Sequence, residues 1–396
     1  PPLYYILLHF WVRLVGSSEA AVRGLSALCG VGVVGATYLL ARRVLSDQGA
    51  LLASLFAACS PFQAYYSQEA RMYMPATLLG LLLVLACDTL FSRWHWRASL
   101  RSPIALAILL TSSALLHTHY YGATLLIAVN LAFLIWMGVE WRVRGRFPLD
   151  ALWRWGILMV VSLATFVPWL MAAWHTLVYW PAISQPTSLT ELLRQLIVVL
   201  PLGITVPIDA YTLAIGAVAI AMAALGLAAL VVQPHDRGVN PNWRPWLLAC
   251  YLAAPVAIMY LGSLRRPMIN FKFILLVTPA LHVLMAAGIS VVAGRVLRAG
   301  ARRRGGTVFA LALPVVIVIA GMATSLHGLY YDPRYARDDY RGIVAYIHEN
   351  AGPHAAILIN APSQIETIDY YHDEPPPMYP LARQRPMDVA QTVAEL

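Results

Sequence analysis

The segment 50–91, ALLASLFAACSPFQAYYSQEARMYMPATLLGLLLVLACDTLF, places a short polar knot between two long apolar runs, and the knot reads Tyr65-Tyr66-Ser67-Gln68-Glu69-Ala70-Arg71-Met72-Tyr73. Each run approaches the roughly 20 residues that a helix needs to cross hydrocarbon. A Glu and an Arg two residues apart are expensive at that depth, and such groups mark substrate or ion paths more often than packing. The knot is therefore a candidate site, and its flanks make the chain membrane-spanning.

Working outward, 60% hydrophobic and 12% charged residues over 396, with a mean hydropathy of +0.65, lie well outside soluble globular composition. Besides 50–66 and 72–91, candidate spans fall at 22–41, 103–117, 121–139, 152–173, 210–232, 245–262, 270–293 and 307–326. The fold class is an all-α polytopic membrane protein of about ten transmembrane helices followed by a soluble α/β segment. Residues 1–16 are too short to span and carry His9 and Arg13, which predicts a helix lying in the interface. A second such helix is expected in the loop 174–209, where Ser188 and Glu191 have capping-box spacing. It reads either as a lid over a lipid substrate or as a filler of the surface.

Sixteen of the 28 Lys and Arg fall on one side of these spans, among them Arg42, Arg43, Arg142, Arg144 and Arg146, against seven on the other side ahead of the tail. The positive-inside rule makes the first side cytoplasmic. The knot, His117–Tyr121, the loop 174–209 and Arg265–Lys272 then share the outer face. The run Arg302–Arg304 reads as a topology signal in contact with anionic lipid. Domains follow as 1–326 in the membrane and 327–396 outside it, with a helix from Asp338 to Asn350, a strand over Ala355–Asn360, a helix over Glu366–Tyr371 and a strand near Met378–Leu381. The net charge of +9 forms no face interleaved with aromatics, so no nucleic-acid partner is expected. The four cysteines lie in apolar runs without C-x-x-C spacing and suggest neither disulfides nor zinc.

Only nine acidic residues precede residue 327, and Glu19, Glu69, Glu191 and Asp209 are those on the outer face. A general base needs a carboxylate or a His, so Glu69 and Asp209 are the catalytic candidates. The plainer reading of Glu69 is a loop-fixing ion pair with Arg71. Arg71, Arg265, Arg266 and Lys272 suit a phosphate, which guanidinium groups bind bidentately and a Lys meets as a point charge; singly, each could be an interfacial snorkeler. Tyr66, Gln68, Tyr73, His117, His119 and Tyr120 complete the substrate-binding set. No cofactor is called for, although His117 and His119 with Glu69 or Asp209 leave a divalent metal open.

Pro1-Pro2-Leu3-Tyr4-Tyr5, Tyr66-Ser-Gln-Glu-Ala-Arg-Met-Tyr73, His117-Thr-His-Tyr-Tyr-Gly122 and Asp338-Asp-Tyr-Arg-Gly342 resemble bacterial members of the clan of protein O-mannosyltransferases and aminoarabinose transferases. These are C-type integral-membrane glycosyltransferases, of the family 39-like branch. The resemblance implies an enzyme of the bacterial inner membrane with its active face outside the cytoplasm. It would take a sugar from a polyprenyl-phosphate donor and pass it, with inversion, to a periplasmic or extracellular acceptor, whether protein, lipid or polysaccharide. It also implies eleven spans in a full protein and a principal catalytic Asp in a first outer loop, ahead of the Pro-Pro pair with which this chain begins. The expectation is that the chain lacks that base-bearing segment. The rival reading is a non-catalytic scaffold subunit of a larger membrane complex, and a transporter is disfavoured because paired repeats are not seen. In the enzymatic reading Glu69 orients the acceptor or assists the absent Asp, Arg71, Arg265, Arg266 and Lys272 grip the donor phosphate, and His117, His119 and Tyr120 line the cavity.

Overall fold

The computed structural model describes residues 1–92, 100–178, 184–232, 243–299, 304–352, 354–359, 364–372, 376–380 and 389–395. The chain divides into two units, Pro1–Tyr331 and Asp332–Leu396. In the first, α1 (Leu3–Val15) is the short helix expected over 1–16. Ser18 caps α2 (Glu19–Ala41) by accepting from the Ala21 N–H at 3.3 Å. The expected span 50–66 divides into α3 (Asp47–Cys59) and α4 (Pro61–Ser67). Pro61 has no N–H to continue a helix, and it starts a new one capped by Ser60, whose hydroxyl accepts from Gln63 N–H at 3.4 Å.

After the knot come α5 (Tyr73–Ser92), α6 (Pro103–Thr118), α7 (Gly122–Arg144) and α8 (Leu149–Val178), then α9 (Leu189–Leu202), α10 (Ala210–Val232) and α11 (Arg244–Ser263). A 3-10 stretch, Phe271–Val277, runs into α12 (Thr278–Ala299), and α13 (Arg304–Tyr331) closes the unit. Among the described residues eight helices are long and apolar enough to cross a membrane, while α3, α4 and α6 are shorter. The helix expected in 174–209 is α9, with Ser188 accepting from Glu191 N–H at 3.2 Å. The Glu191 carboxylate does not complete a capping box; it accepts from Gln195 at 2.8 Å and Arg194 at 3.3 Å, on its own helix face.

The hub is the continuous segment Phe271–Gly294, of whose apolar window 89% is buried. It lies hard against α10: a Cβ at Gly226 would meet the Leu284 carbonyl oxygen at 2.1 Å, and one at Gly288 the Met222 oxygen at 2.0 Å. Small residues permit this approach where no hydrophobic effect drives helices together. The second unit carries α14 (Tyr340–Asn350), capped by Asp339 accepting from Gly342 N–H at 2.9 Å, then α15 (Ile365–Tyr371) and α16 (Val389–Glu395). Its strands β1 (Ile357–Ile359) and β2 (Met378–Pro380) pair in parallel, Leu358 opposite Tyr379, over a small core of Val344, Ile359 and Ile368. The outer ends of the expected strands, Asn360 and Leu381, lie outside the described residues, as do Arg302, Arg303 and the side chain of Arg304.

Candidate functional site

The knot is a tight reversal between α4 and α5, and its backbone is fastened from several directions. Arg71 N–H donates to the Glu69 carbonyl at 2.8 Å, and Ser26 on α2 donates its hydroxyl to the Arg71 carbonyl at 3.2 Å. Gln68 donates its side-chain amide to the Tyr330 hydroxyl on α13 at 2.7 Å. On α2, a Cβ at Gly30 would stand 2.4 Å from the Ser67 hydroxyl, so a larger residue there would require that side chain to turn away. With the backbone so held, Glu69 is half-buried and Arg71 reaches solvent.

A wall of rings stands beside the knot. Tyr66 meets Tyr73 edge-on at 5.2 Å, Tyr73 meets His119 at 5.6 Å, and His119 meets Phe273 at 5.3 Å, which stacks on Tyr121 at 5.6 Å. The Lys272 ammonium lies over the Tyr73 ring at 5.6 Å and the Phe273 ring at 5.7 Å. A cation over ring faces is held by the ring quadrupole while its N–H groups keep their directions to other acceptors. Asn270 fixes the start of this segment by accepting from Lys272 N–H at 3.3 Å. Glu69 and Arg71 are both near enough to act on the Lys272 charge. The knot and the 265–272 segment thus meet at Lys272.

His119 is 8% exposed and its Nδ1 accepts from Tyr121 N–H at 3.0 Å. Burial, reinforced by neighbouring positive charge that includes Lys272, pulls its pKa down to about 4. It therefore stays neutral at physiological pH, with Nε2 carrying the proton.

The remaining predicted residues have other surroundings. Arg266 donates to the Leu177 and Val178 carbonyls at 3.3 and 3.2 Å, closing the C-terminal end of α8, and Arg265 beside it is exposed. His117 turns from His119: its Nδ1 lies 2.8 Å from the Ser113 carbonyl and its ring is edge-on to Phe166 at 5.2 Å. Tyr120 accepts from Trp169 Nε1 at 3.0 Å. Asp209 caps α10, accepting from Thr212 N–H at 2.9 Å and from the Thr212 hydroxyl at 3.1 Å, and these bonds hold its carboxyl below the usual range. Among the described residues no three His, Cys, Asp or Glu side chains gather as metal ligands. Phe273, Tyr121 and Asn270 were not singled out in the sequence, although Asn270-Phe271-Lys272-Phe273 carries the signal of a cation between aromatics after a capping residue.

Residues 1–172 match the family described as dolichyl-phosphate-mannose-protein mannosyltransferase. No protein of curated function matches the chain in sequence. Among solved structures, ArnT from Cupriavidus metallidurans bound to undecaprenyl phosphate superposes with a TM-score of 0.59 at 16% identity, over 96% of this chain and 75% of that one. The archaeal oligosaccharyltransferase AglB from Archaeoglobus fulgidus, in complex with an inhibitory peptide and a dolichol-phosphate, gives 0.54 at 13%, over 95% of this chain and 52% of that one. The arabinofuranosyltransferase AftD from Mycobacteria gives 0.52 at 17%, over 95% of this chain and 26% of that one.

Proposed function

We propose that this chain, which has the fold of C-type glycosyltransferases and whose residues 1–172 match a mannosyltransferase family, moves a sugar from a polyprenyl-phosphate donor to an acceptor on the outer face of the membrane. The observation that carries the reading is the seating of Lys272 over the Tyr73 and Phe273 rings, where the end of the knot meets the His119 wall. Two relatives in fold, ArnT and AglB, have solved structures that hold undecaprenyl phosphate and dolichol-phosphate, which supports a lipid-phosphate donor here.

The chemistry is a direct displacement. An acceptor nucleophile attacks the anomeric carbon, the bond from that carbon to the phosphate oxygen breaks, and the electron pair leaves on the prenyl phosphate. Configuration inverts, and the acceptor proton passes to the Glu69 carboxylate of the knot. Lys272 and Arg71 meet the charge that grows on the departing phosphate, and preorganised positive groups of this kind are the largest single contribution to such steps. Glu69 orients the acceptor group toward the sugar. Neutral His119 offers its Nε2–H to a sugar or phosphate oxygen without adding charge.

The test is transfer from radiolabelled polyprenyl-phosphate sugars by the full chain in membranes. Lys272→Ala is expected to lower turnover by about 10²-fold or more, the scale for losing one stabilising donor, with Lys272→Arg recovering part of it. Arg71→Ala should act in the same direction. Undiminished turnover in both alanine variants, each present at normal level in the membrane, would remove the phosphate role.

A further inference from the structure

At the arginine-rich end of the bundle, away from the knot, α2 and α6 flank α5 and leave a groove of about 610 Å³. Leu85 and Ala86 of α5 form its floor, with Leu39 of α2 on one side and Ile104 and Ala107 of α6 on the other. Arg42, Arg43 and Thr89 stand at its polar end. The volume is that of a small-ligand site, and an apolar trough closed by cations is the outline of an amphiphile with an anionic head.

Among the described residues the charges leave one cation in surplus. Arg42 pairs with Asp47 at 2.8 Å, and the buried Asp88 already receives Arg244 Nε at 2.8 Å. Arg43 reaches Asp88 only at 3.5 Å and the Thr89 hydroxyl only at 3.4 Å. Three guanidinium groups thus face two carboxylates, and the Arg42–Asp47 pair is exposed enough to be exchanged at little cost. The N-terminus of α6, whose Pro103 and Ile104 line the groove, adds the positive end of a helix dipole from a second direction.

We infer that this groove is a binding site for an anionic phospholipid, with the phosphate held by Arg43 and Arg42 and an acyl chain lying on Leu85, Ala86 and Ile104. It is separate from the donor site and would brace α2, α5 and α6, two of which deliver the knot and His119.

The test is native mass spectrometry of the full chain in detergent, titrated with phosphatidylglycerol, phosphatidylcholine or a polyprenyl phosphate. Phosphatidylglycerol is expected to bind and phosphatidylcholine to bind at least about tenfold more weakly, as loss of attraction to two arginines requires. Arg42→Ala with Arg43→Ala should weaken phosphatidylglycerol by a similar factor. Arg142→Ala with Arg146→Ala, which removes the same charge elsewhere on that face, should not. Equal loss in both double variants, or equal binding of the two phospholipids, overturns the site. So does a groove that takes polyprenyl phosphate in preference to phosphatidylglycerol. If the Arg42/Arg43 variant fails to fold, Ala107→Phe decides: it fills the trough without touching charge, and retained binding overturns the proposal.

Discussion

Lys272 and Asp209 are both charged residue types beside helix starts, yet their surroundings give them different tasks. Lys272 rests on ring faces, which leaves its ammonium able to meet a phosphate. Asp209 has its carboxylate engaged with the N–H and hydroxyl of Thr212. Asn caps a helix as well as Asp does, so Asp209→Asn is expected to keep both the fold and transfer, measured as turnover at saturating donor. A well-folded Asp209→Asn protein without activity would return this residue to the chemistry. His119 makes a second prediction. Its folded pKa of about 4 lies below the value near 6.5 of an exposed imidazole, so the fold favours the neutral ring. That contribution is complete above about pH 6.5 and is lost as pH falls from there through about 4. His119→Phe, which suits the Tyr73 and Phe273 rings, should therefore flatten the fall in melting temperature across that window. An identical pH slope in variant and parent would contradict a buried neutral His119.

At the scale of elements, apolar length made most helices readable, and Ser188 announced α9 because a cap is a local, sequence-adjacent event. What could not be read were consequences of three-dimensional neighbourhood. The break at Ser60-Pro61 divides one apolar run into α3 and α4. Arg266 reads as a phosphate ligand until the end of α8 supplies it with two carbonyls. The histidines at 117 and 119 are one residue apart in sequence, but the end of α6 between them sends one ring to Phe166 and the other to Phe273. Lys272 was legible as a cation, while its aromatic seat depends on Tyr73, far away in sequence. The α10–α12 contact was equally hidden, since Gly226 and Gly288 are ordinary in an apolar run. Gly288→Ala would drive a methyl into the Met222 carbonyl and should cost about 1–3 kcal/mol, the usual range for overpacking. The measurement is thermal unfolding in detergent. Because α12 continues directly from the 3-10 stretch that carries Lys272, a second expected effect is loss of transfer at temperatures where the parent still works; unchanged melting would mean the two helices part without cost.

For the whole molecule, the open physical question is which way the bundle faces, and the charge distribution answers it with a prediction. The sequence sets sixteen Lys and Arg on one side of its expected spans against seven on the other, the asymmetry that sets orientation during insertion. The arginine-rich end, with Arg42, Arg43 and Arg146, should lie in the cytoplasm, and the knot, α9 and the start of the 3-10 stretch should lie outside. The proposed transfer to an acceptor on the outer face requires this arrangement, so orientation and that proposal stand or fall together. Single cysteines test it in intact cells with a membrane-impermeant maleimide. Gln185→Cys, ahead of α9, and Ala351→Cys, after α14, are exposed positions expected to label from outside. Arg146→Cys, exposed beyond α7, should label only after the membrane is opened. Cys29, Cys59 and Cys250 are half-buried and Cys87 is buried, all within helices, so the parent chain supplies a low baseline. Labelling of position 146 in intact cells, with 185 protected, would place the candidate site on the cytoplasmic side, where an outer-leaflet donor could not reach Lys272.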